Sequence, residues 1–198
     1  MKRILAALAL WACASAVLAG PLEEGRATYE SGDYATALRL WRPLADQGDA
    51  RAQYNLGDMY CNGHGVPKDY AEAVKWWRKS ADQGFAVAQF NLGAMYANGK
   101  GVPQDYGEAV KWYRKAADQG LDGAQHDLGL MYATGQGVPQ DYVEAHKWLN
   151  LAAARAPDKV TRDTATHNRG VIASKMTADQ VSEAQKLARE WKPAPPMK

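Results

Sequence analysis

The chain has 198 residues, with 24 Lys and Arg, 22 Asp and Glu, and 46% hydrophobic residues. This length is sufficient for one domain with a buried core, and the net charge of +2 lacks the basic excess expected of a nucleic-acid-binding protein. Beyond the N-terminal segment, no apolar run is long enough for a transmembrane helix.

Residues 1–19 have the pattern of a secretory signal peptide. Lys2 and Arg3 precede an apolar run over residues 4–14, and small residues lead to a predicted cleavage site before Gly20. The apolar run is shorter than the roughly 20 residues that span a bilayer. Loss of Lys2 and Arg3 from the 24 basic residues leaves 22, equal to the 22 acidic residues. We therefore expect an exported, periplasmic protein with balanced charge.

Cys13 allows a second interpretation of this segment. The letters Leu10-Trp11-Ala12-Cys13 resemble a lipoprotein signal box, although Trp11 fits such a box poorly and little apolar sequence precedes it. An uncleaved N-terminal anchor is a further alternative, which the short apolar run disfavours. Periplasmic localisation is the prediction, and secretion or a lipid anchor on Cys13 are the alternatives.

Residues 20–49 predict a shortened helical hairpin at the start of a repeat array. Residues 34–39 align with residues 70–75, which lie 36 positions further on, but the preceding loop is shorter. Terminal repeats commonly depart from the common pattern, because they cap the stack and face water on one side.

A 36-residue pattern then occurs three times over residues 50–156. Its copies begin at Ala52, Ala88 and Ala124, and the first two agree at 25 of 36 positions. A fixed period of this length is typical of proteins built from stacked structural repeats.

Each copy predicts a helix, a turn and a second helix. Ala52 and Leu56 belong to an apolar stripe on the first helix, and Gly63 suits the left-handed conformation that often ends a helix. The second helix starts with the capping pattern Asp69-x-x-Glu72. Its predicted buried residues are Tyr70, Ala73, Val74, Trp77 and Ala81.

Glycine recurs inside the first helix of each copy, at Gly57, Gly93 and Gly129. Glycine in a helix interior costs about 1 kcal/mol relative to alanine. Its recurrence predicts a close approach of the two helices that a side chain would block.

The shared letters of the copies are those of a known repeat. In the second copy they are Ala88, Leu92, Gly93, Tyr96, Gly99, Gly101, Val102, Asp105, Ala109, Trp112, Ala116, Ala117, Gln119 and Gly120. This pattern, over residues 50–156, resembles the Sel-one-like repeat, a relative of the tetratricopeptide repeat, and residues 20–49 look like a degenerate tetratricopeptide hairpin. The resemblance implies an all-α fold, an α-solenoid whose stacked helix-turn-helix repeats form a right-handed superhelix. It also implies protein binding rather than a reaction.

Two helices that cap the array are predicted for residues 157–191. The third copy ends in apolar letters at residues 150–155, where the second copy has charged ones, so this surface requires a cover. We expect helices at about 158–174 and 178–191, and the second starts with a Thr177-x-x-Gln180 capping box. Residues 192–198 include three prolines and are predicted to be disordered.

The residue types that enzymes use form no recognisable catalytic or metal-binding pattern. The four histidines share no i, i+3 or i+4 spacing, and no serine begins an S-x-x-K motif, so we expect no cofactor and no metal. His146 aligns with Val74 and is interpreted as a core residue, and His64 as part of a solvated loop. Cys61 aligns with Ala97 and is interpreted as a packing residue, with a redox or intermolecular thiol as the alternative.

Two sets of residues that recur every 36 positions, one of glutamates and one of tryptophans, could be mistaken for functional sites. Glu72 and its equivalents could form a carboxylate array, but their place three residues after an Asp predicts helix capping. Trp76, Trp112 and Trp148 could stack on a ligand, but recurrence at the repeat period favours packing between repeats.

The first helices of a solenoid usually line its concave side. We predict a partner-binding groove there, formed by polar residues between the buried positions and suited to hydrogen bonds with a polypeptide backbone. These residues are Gln53, Asn55, Asp58, Asn62, Gln89, Asn91, Asn98, Gln125 and Asp127. A plain solvated helix face is the alternative interpretation.

The predicted function is that of a non-catalytic, exported scaffold or regulatory adaptor, which binds a partner protein or peptide in this groove. The alternative is a weak β-lactam or cell-wall hydrolase like the cysteine-rich relatives of the repeat family. Those relatives have a pair of cysteines in each hairpin, whereas Cys61 is the one cysteine of this sequence beyond the predicted signal peptide. A structural cap on a larger envelope complex is a third alternative. The sequence predicts neither the partner's identity nor the oligomeric state.

Overall fold

The computed structural model describes residues 20–194, which contain ten α-helices and no β-strand. The predicted signal peptide, with Cys13, and residues 195–198 lie outside the described residues. Eight helices form four hairpins: α1 Pro21–Glu30 with α2 Tyr34–Asp46, α3 Ala50–Asn62 with α4 Tyr70–Asp82, α5 Ala86–Asn98 with α6 Tyr106–Asp118, and α7 Asp122–Thr134 with α8 Tyr142–Arg155. They are followed by α9 Lys159–Ala173 and α10 Ala178–Glu190.

The hairpins stack in chain order. Consecutive helices from α1 to α8 pack against one another, and both α9 and α10 pack on α8. Each repeat therefore contacts its neighbours in sequence, as in other solenoids. The all-α solenoid that the family resemblance implied is confirmed.

The capping residues hold the start of each second helix, although not entirely as predicted. The Asp69 carboxylate accepts a hydrogen bond of 3.0 Å from the backbone N–H of Glu72, and the same bond recurs in the next two repeats. The Glu72 side chain does not return to the cap, as a full capping box would require. It pairs instead with Lys75 at 2.8 Å, so the prediction that capping accounts for the glutamate was wrong.

The recurrent glycines lie where the two helices of a hairpin meet. A Cβ atom at Gly93 would lie 2.7 Å from Cδ1 of Tyr113, and one at Gly129 would lie 2.9 Å from Cγ of Leu149. At Gly57 it would collide with the indole of the following helix. These distances are too short for a real side chain, and they confirm that glycine permits the close approach.

The tryptophan column is part of the core. Trp76, Trp112 and Trp148 are 4%, 5% and 2% exposed, and each belongs to a hydrophobic cluster. Trp76 packs with Trp41 and Leu56, which lie on the preceding second helix and the preceding first helix. The packing interpretation is confirmed, since the rings join one repeat to the next.

The two C-terminal helices cover the apolar end of the array. Leu151 and Ala153 of α8 are buried, and Trp191 lies edge-on to Trp148 with ring centroids 6.2 Å apart. Thr177 and Gln180 form both bonds of the predicted capping box. The chain then continues without regular secondary structure.

The first part of the predicted disordered tail is in contact with the solenoid. The backbone N–H of Ala194 donates to the carbonyl of Asp118, at the end of α6, with a distance of 2.7 Å. Residues 192–194 thus return to an earlier repeat.

Candidate protein-binding surface

The nine residues predicted to line a groove lie on α3, α5 and α7. With α1, these helices form one side of the solenoid, which we call the first-helix surface. The structure places the nine side chains in three different situations, and only some of them are available to a partner.

The three glutamines of the set are buried and bonded within the solenoid. Their side-chain amides donate to carbonyls in the last turn of the preceding second helix, each of which also accepts from the backbone N–H of the glycine after that helix. The bonds join Gln53 to Ala45 at 3.0 Å, Gln89 to Ala81 at 3.1 Å, and Gln125 to Ala117 at 3.1 Å. The prediction that these glutamines bind a partner was wrong, because they connect adjacent repeats.

Further glutamines extend these connections. Gln83 donates to the side-chain oxygen of Gln53 at 2.7 Å, and Gln119 donates to that of Gln89 at 2.8 Å. In the last repeat the equivalent position is Arg155, and the buried side-chain oxygen of Gln125 has no hydrogen-bond partner among the described residues. The glutamine connections therefore end where the repeats end.

The asparagines near the helix ends remain exposed. The Asn62 amide donates to the Asp58 carbonyl at 3.0 Å, and the Asn98 amide donates to the Ala94 carbonyl at 2.7 Å. Both bonds lie within the residue's own helix and leave the amide oxygens accessible on the surface.

The remaining four predicted residues are half-buried on the first-helix surface. Asn91 of α5 donates to Asp58 of α3 across a distance of 3.4 Å. Asp127 is 3.0 Å from Nδ1 of His126, and Nε2 of that histidine is 2.9 Å from the Asn168 amide on α9. The structure thus brings Asn55, Asp58 and Asn91 towards the N-terminal half of the surface, while Asp127 lies beside the C-terminal cap.

A cavity of about 420 Å³ opens between α1 and α3 on this surface. Asn55 and Asp58 line it, together with residues that were not predicted as site residues. Those residues are Leu22, Glu23, Arg26, Tyr29, Glu30, Trp41, Arg51, Tyr54 and Phe85. A volume of this size is within the usual range of about 300–1,000 Å³ for ligand-binding cavities.

The cavity exists because the repeats differ at the start of the first helix. The N-cap of α5 is Phe85 and that of α7 is Leu121, and neither side chain makes a capping hydrogen bond. Both pack against the core instead, and Phe85 contacts the Tyr54 ring at 5.2 Å between centroids. The N-cap of α3 is Asp49, which caps Ala52 and leaves the space between α1 and α3 unfilled.

Asp58 is the half-buried carboxylate of this cavity. The Trp77 indole donates to its Oδ1 at 3.1 Å, and the Asn91 amide donates to the same oxygen at 3.4 Å. Burial raises the pKa of Asp58, while hydrogen bonds from Tyr54 and Trp77 partly oppose that rise. All of these donors are neutral, so the charge of Asp58 is solvated but not neutralised by them.

Sequence comparison between the repeats gives one weak indication of the aromatic residues in the cavity. Tyr54, Phe90 and His126 occupy one column that varies between copies whose neighbouring positions are nearly constant. Trp41 lies 36 residues before Trp77, which marks it as a core position of the second helix, whereas Tyr29 precedes the shortened loop and has no aromatic residue 36 positions further on. The cavity depends on the distance between two unlike repeats. The sequence of a single repeat gives no information about that distance.

His64 was predicted to be a solvated loop residue, and this was wrong. Its ring stacks on Tyr34 with centroids 4.3 Å apart and an interplanar angle of 8°, and Nδ1 is 2.7 Å from the Tyr29 hydroxyl. Because the loop after α1 is short, His64 reaches the first hairpin and fixes the position of Tyr29.

The other candidate reactive residues have structural environments. His146 is 3% exposed, as predicted for a core residue, and burial lowers its pKa. Burial raises the pKa of the half-buried Cys61. Ser80 is fully buried and donates to the Ala50 carbonyl at 2.6 Å.

Metal binding and membrane insertion have no candidate in the described chain. Within residues 20–194, no group of three or more His, Cys, Asp and Glu side chains is placed to hold a metal ion. No helix in the same range has the length and apolar character needed to cross a bilayer.

Helical hairpins that recur every 36 residues, and whose packing and hydrogen bonds recur with them, define an α-solenoid repeat protein. The Sel1 repeat model matches residues 13–49, 50–85, 86–121 and 123–156, and the chain belongs to this family. The shortened first hairpin is therefore included among its repeats. Sel1 repeats generally mediate protein–protein interaction, and their fold is typically that of a non-catalytic scaffold.

Solved structures share this architecture. A protective antigen present in uropathogenic Escherichia coli strains, which displays an SLR fold, is 35% identical with a TM-score of 0.72, and the match covers 86% of this chain and 40% of that chain. A Sel1 repeat protein from Oxalobacter formigenes is 32% identical with a TM-score of 0.67, and the match covers 84% and 74% of the two chains. The chain thus spans 40% of the length of the E. coli antigen. No curated protein matches the chain.

Proposed function

We propose that this protein is an exported, non-catalytic adaptor of the bacterial envelope, which holds a partner protein or peptide on the first-helix surface. The observation that carries the proposal is the cavity of about 420 Å³ between α1 and α3. It opens beside Asn55 and Asp58, which the sequence pattern had selected as groove residues.

The chemistry of this surface supports polypeptide binding. Aromatic rings and half-buried polar side chains lie side by side in the cavity, and such mixtures of apolar contact and hydrogen bonding are typical of the centres of protein interfaces. The exposed amides of Asn62 and Asn98 continue the polar surface along α3 and α5. An extended segment lying across successive first helices would contact all of them.

Export is supported by the pattern of residues 1–19 and by the similar E. coli protein, which is described as a protective antigen. Its antigenicity belongs to a longer protein, of which this chain spans 40%. We extend to this chain only the inference that the protein is exported.

The test is affinity capture of envelope proteins by the purified protein, by a groove variant and by a control variant. The groove variant carries Asn55→Arg, Asn91→Arg and Asp127→Arg. The control carries Ala71→Arg and Asp82→Arg, at exposed positions of α4. We expect a partner that the wild type and the control retain and the groove variant loses.

Two results would contradict the proposal. Equal retention by all three forms would place the contact elsewhere, on the second helices or the terminal helices. Saturable hydrolysis of a chromogenic β-lactam, abolished by a serine substitution, would show a catalytic function instead.

A further inference from the structure

The cavity between α1 and α3 contains one charge without a counter-ion. At its rim, Arg26 pairs with Glu30 at 2.8 Å, and Arg51 pairs with Glu23 at 3.8 Å. In the described part of the chain, no Lys, Arg or His side chain forms an ion pair with Asp58. Each rim pair contains one positive and one negative side chain and is therefore neutral. The remaining charge of the cavity is the negative charge of Asp58.

The surroundings of Asp58 destabilise its charge when no cation is nearby. It is half-buried, and its hydrogen-bond donors, Tyr54, Trp77 and Asn91, are all neutral. A partly desolvated carboxylate gains strongly from a cation placed beside it, because the local dielectric constant is lower than that of water. The position is also specific to this repeat, since the equivalent residues of α5 and α7 are Ala94 and Leu130.

The walls of the cavity suit a cation as well. Tyr29, Trp41, Tyr54 and Phe85 all line it, and the faces of aromatic rings attract ammonium and guanidinium groups. Guanidinium is planar and weakly hydrated, stacks on such rings, and forms two-point contacts with carboxylates. An arginine side chain therefore matches both the aromatic walls and Asp58.

We propose that the cavity between α1 and α3 is a socket for an arginine side chain of the partner polypeptide, in which the guanidinium pairs with Asp58 between the aromatic rings. This inference rests on the proposed function, since it names the chemistry of the partner that the first-helix surface binds. The rest of the partner segment then extends along α3 and α5, past Asn91 and Asn98.

A test starts with selection of peptides from a random display library on the immobilised, purified protein. The affinity of a selected peptide is then measured for the wild type, for Asp58→Asn and for Asp118→Asn. Asn retains the shape of Asp58 and its ability to accept from Trp77. Asp118 is a matched control, because burial also raises the pKa of this carboxyl and it lies on α6, outside the cavity.

The peptide itself supplies a second control. Replacement of its shared arginine by citrulline removes the charge and keeps the shape. We expect selected peptides to share an arginine, and both Asp58→Asn and citrulline to weaken binding at least tenfold. The two changes together are expected to weaken binding little more than either one alone, because each removes the same interaction.

The remaining outcomes separate the two proposals. Selected peptides without a common basic residue, or with unchanged affinity for Asp58→Asn, overturn the arginine socket and leave the adaptor function standing. A lysine in place of the shared arginine would overturn the preference for guanidinium. Failure to select any peptide above background overturns both proposals. Thermal melting of each variant confirms that it is folded.

Discussion

Replacement of Gly93 by alanine tests whether close helix approach determines the repeat geometry. The added Cβ would lie 2.7 Å from Cδ1 and 2.9 Å from Cε1 of Tyr113. Overpacking of this kind costs about 1–3 kcal/mol, whereas alanine in a helix interior gains about 1 kcal/mol over glycine. We therefore expect Gly93→Ala to lower or at best maintain stability, and Gly93→Val to lower it by several kcal/mol.

Gly170 is the matched control for this experiment. It lies inside α9, and a Cβ atom there would meet nothing within 4 Å. Gly170→Ala should therefore show only the gain in helix propensity, roughly 0.5–1 kcal/mol. The two variants should differ by about 1–3 kcal/mol, or roughly 2–4 °C in Tm for each kcal/mol at this chain length.

Thermal melting followed by circular dichroism measures this difference. Adding Tyr113→Ala to Gly93→Ala should remove the penalty of the new methyl group, because the clashing ring is gone, and the cycle of single and double variants isolates that term. If Gly93→Ala melts at the same temperature as Gly170→Ala, the explanation of the recurrent glycine is wrong.

Three further predictions concern single side chains. Because the pKa of Asp58 is raised in the folded state, its ionised form destabilises the fold at pH 7. Asp58→Asn should therefore raise Tm at pH 7. The difference in Tm between the variant and the wild type should disappear as the pH falls through the raised pKa. Gln89→Leu removes a donor to the Ala81 carbonyl and the acceptor of the Gln119 amide, and it should cost about 1–3 kcal/mol in denaturant unfolding. Asn98→Ala should change little. Cys61→Ala should leave Tm nearly unchanged, since alanine occupies the equivalent positions, and alkylation of the native thiol should be slower than that of a free cysteine peptide.

The features predicted correctly from the sequence are those that a short stretch of chain contains in itself or that recur at the repeat period, such as the packing of Trp76 and its equivalents. The spacing of Gly57 and its equivalents predicted a helix contact, and the Thr177-x-x-Gln180 pattern predicted the start of the last helix. Both depend on neighbours within a short stretch of chain. The period indicated a stack of repeats, because a hairpin with one apolar face is stable only against another hairpin, and the family resemblance implied that the stack is an α-solenoid.

Apart from Glu72, which pairs with Lys75 in its own helix, the errors concern contacts between repeats. Gln89 lies at a position that helical periodicity assigns to the polar face, yet its amide is buried against the end of the preceding hairpin. Identity in all three copies was the available signal, since a residue free to face solvent has no reason to stay constant. Asp58 was selected for its polarity alone, and its unpaired charge depends on the spacing of two unlike repeats.

The glutamine connections restrict the lengths by which such a chain can grow. Each links a repeat to the one before it through atoms that recur every 36 residues, from Gln53 and Ala45 to Gln125 and Ala117. A duplicated segment of that length would find the same donors and acceptors on both sides, whereas a segment of any other length would leave them unmatched. Gene duplication in whole units can therefore move the cavity further from the C-terminal cap without altering either end.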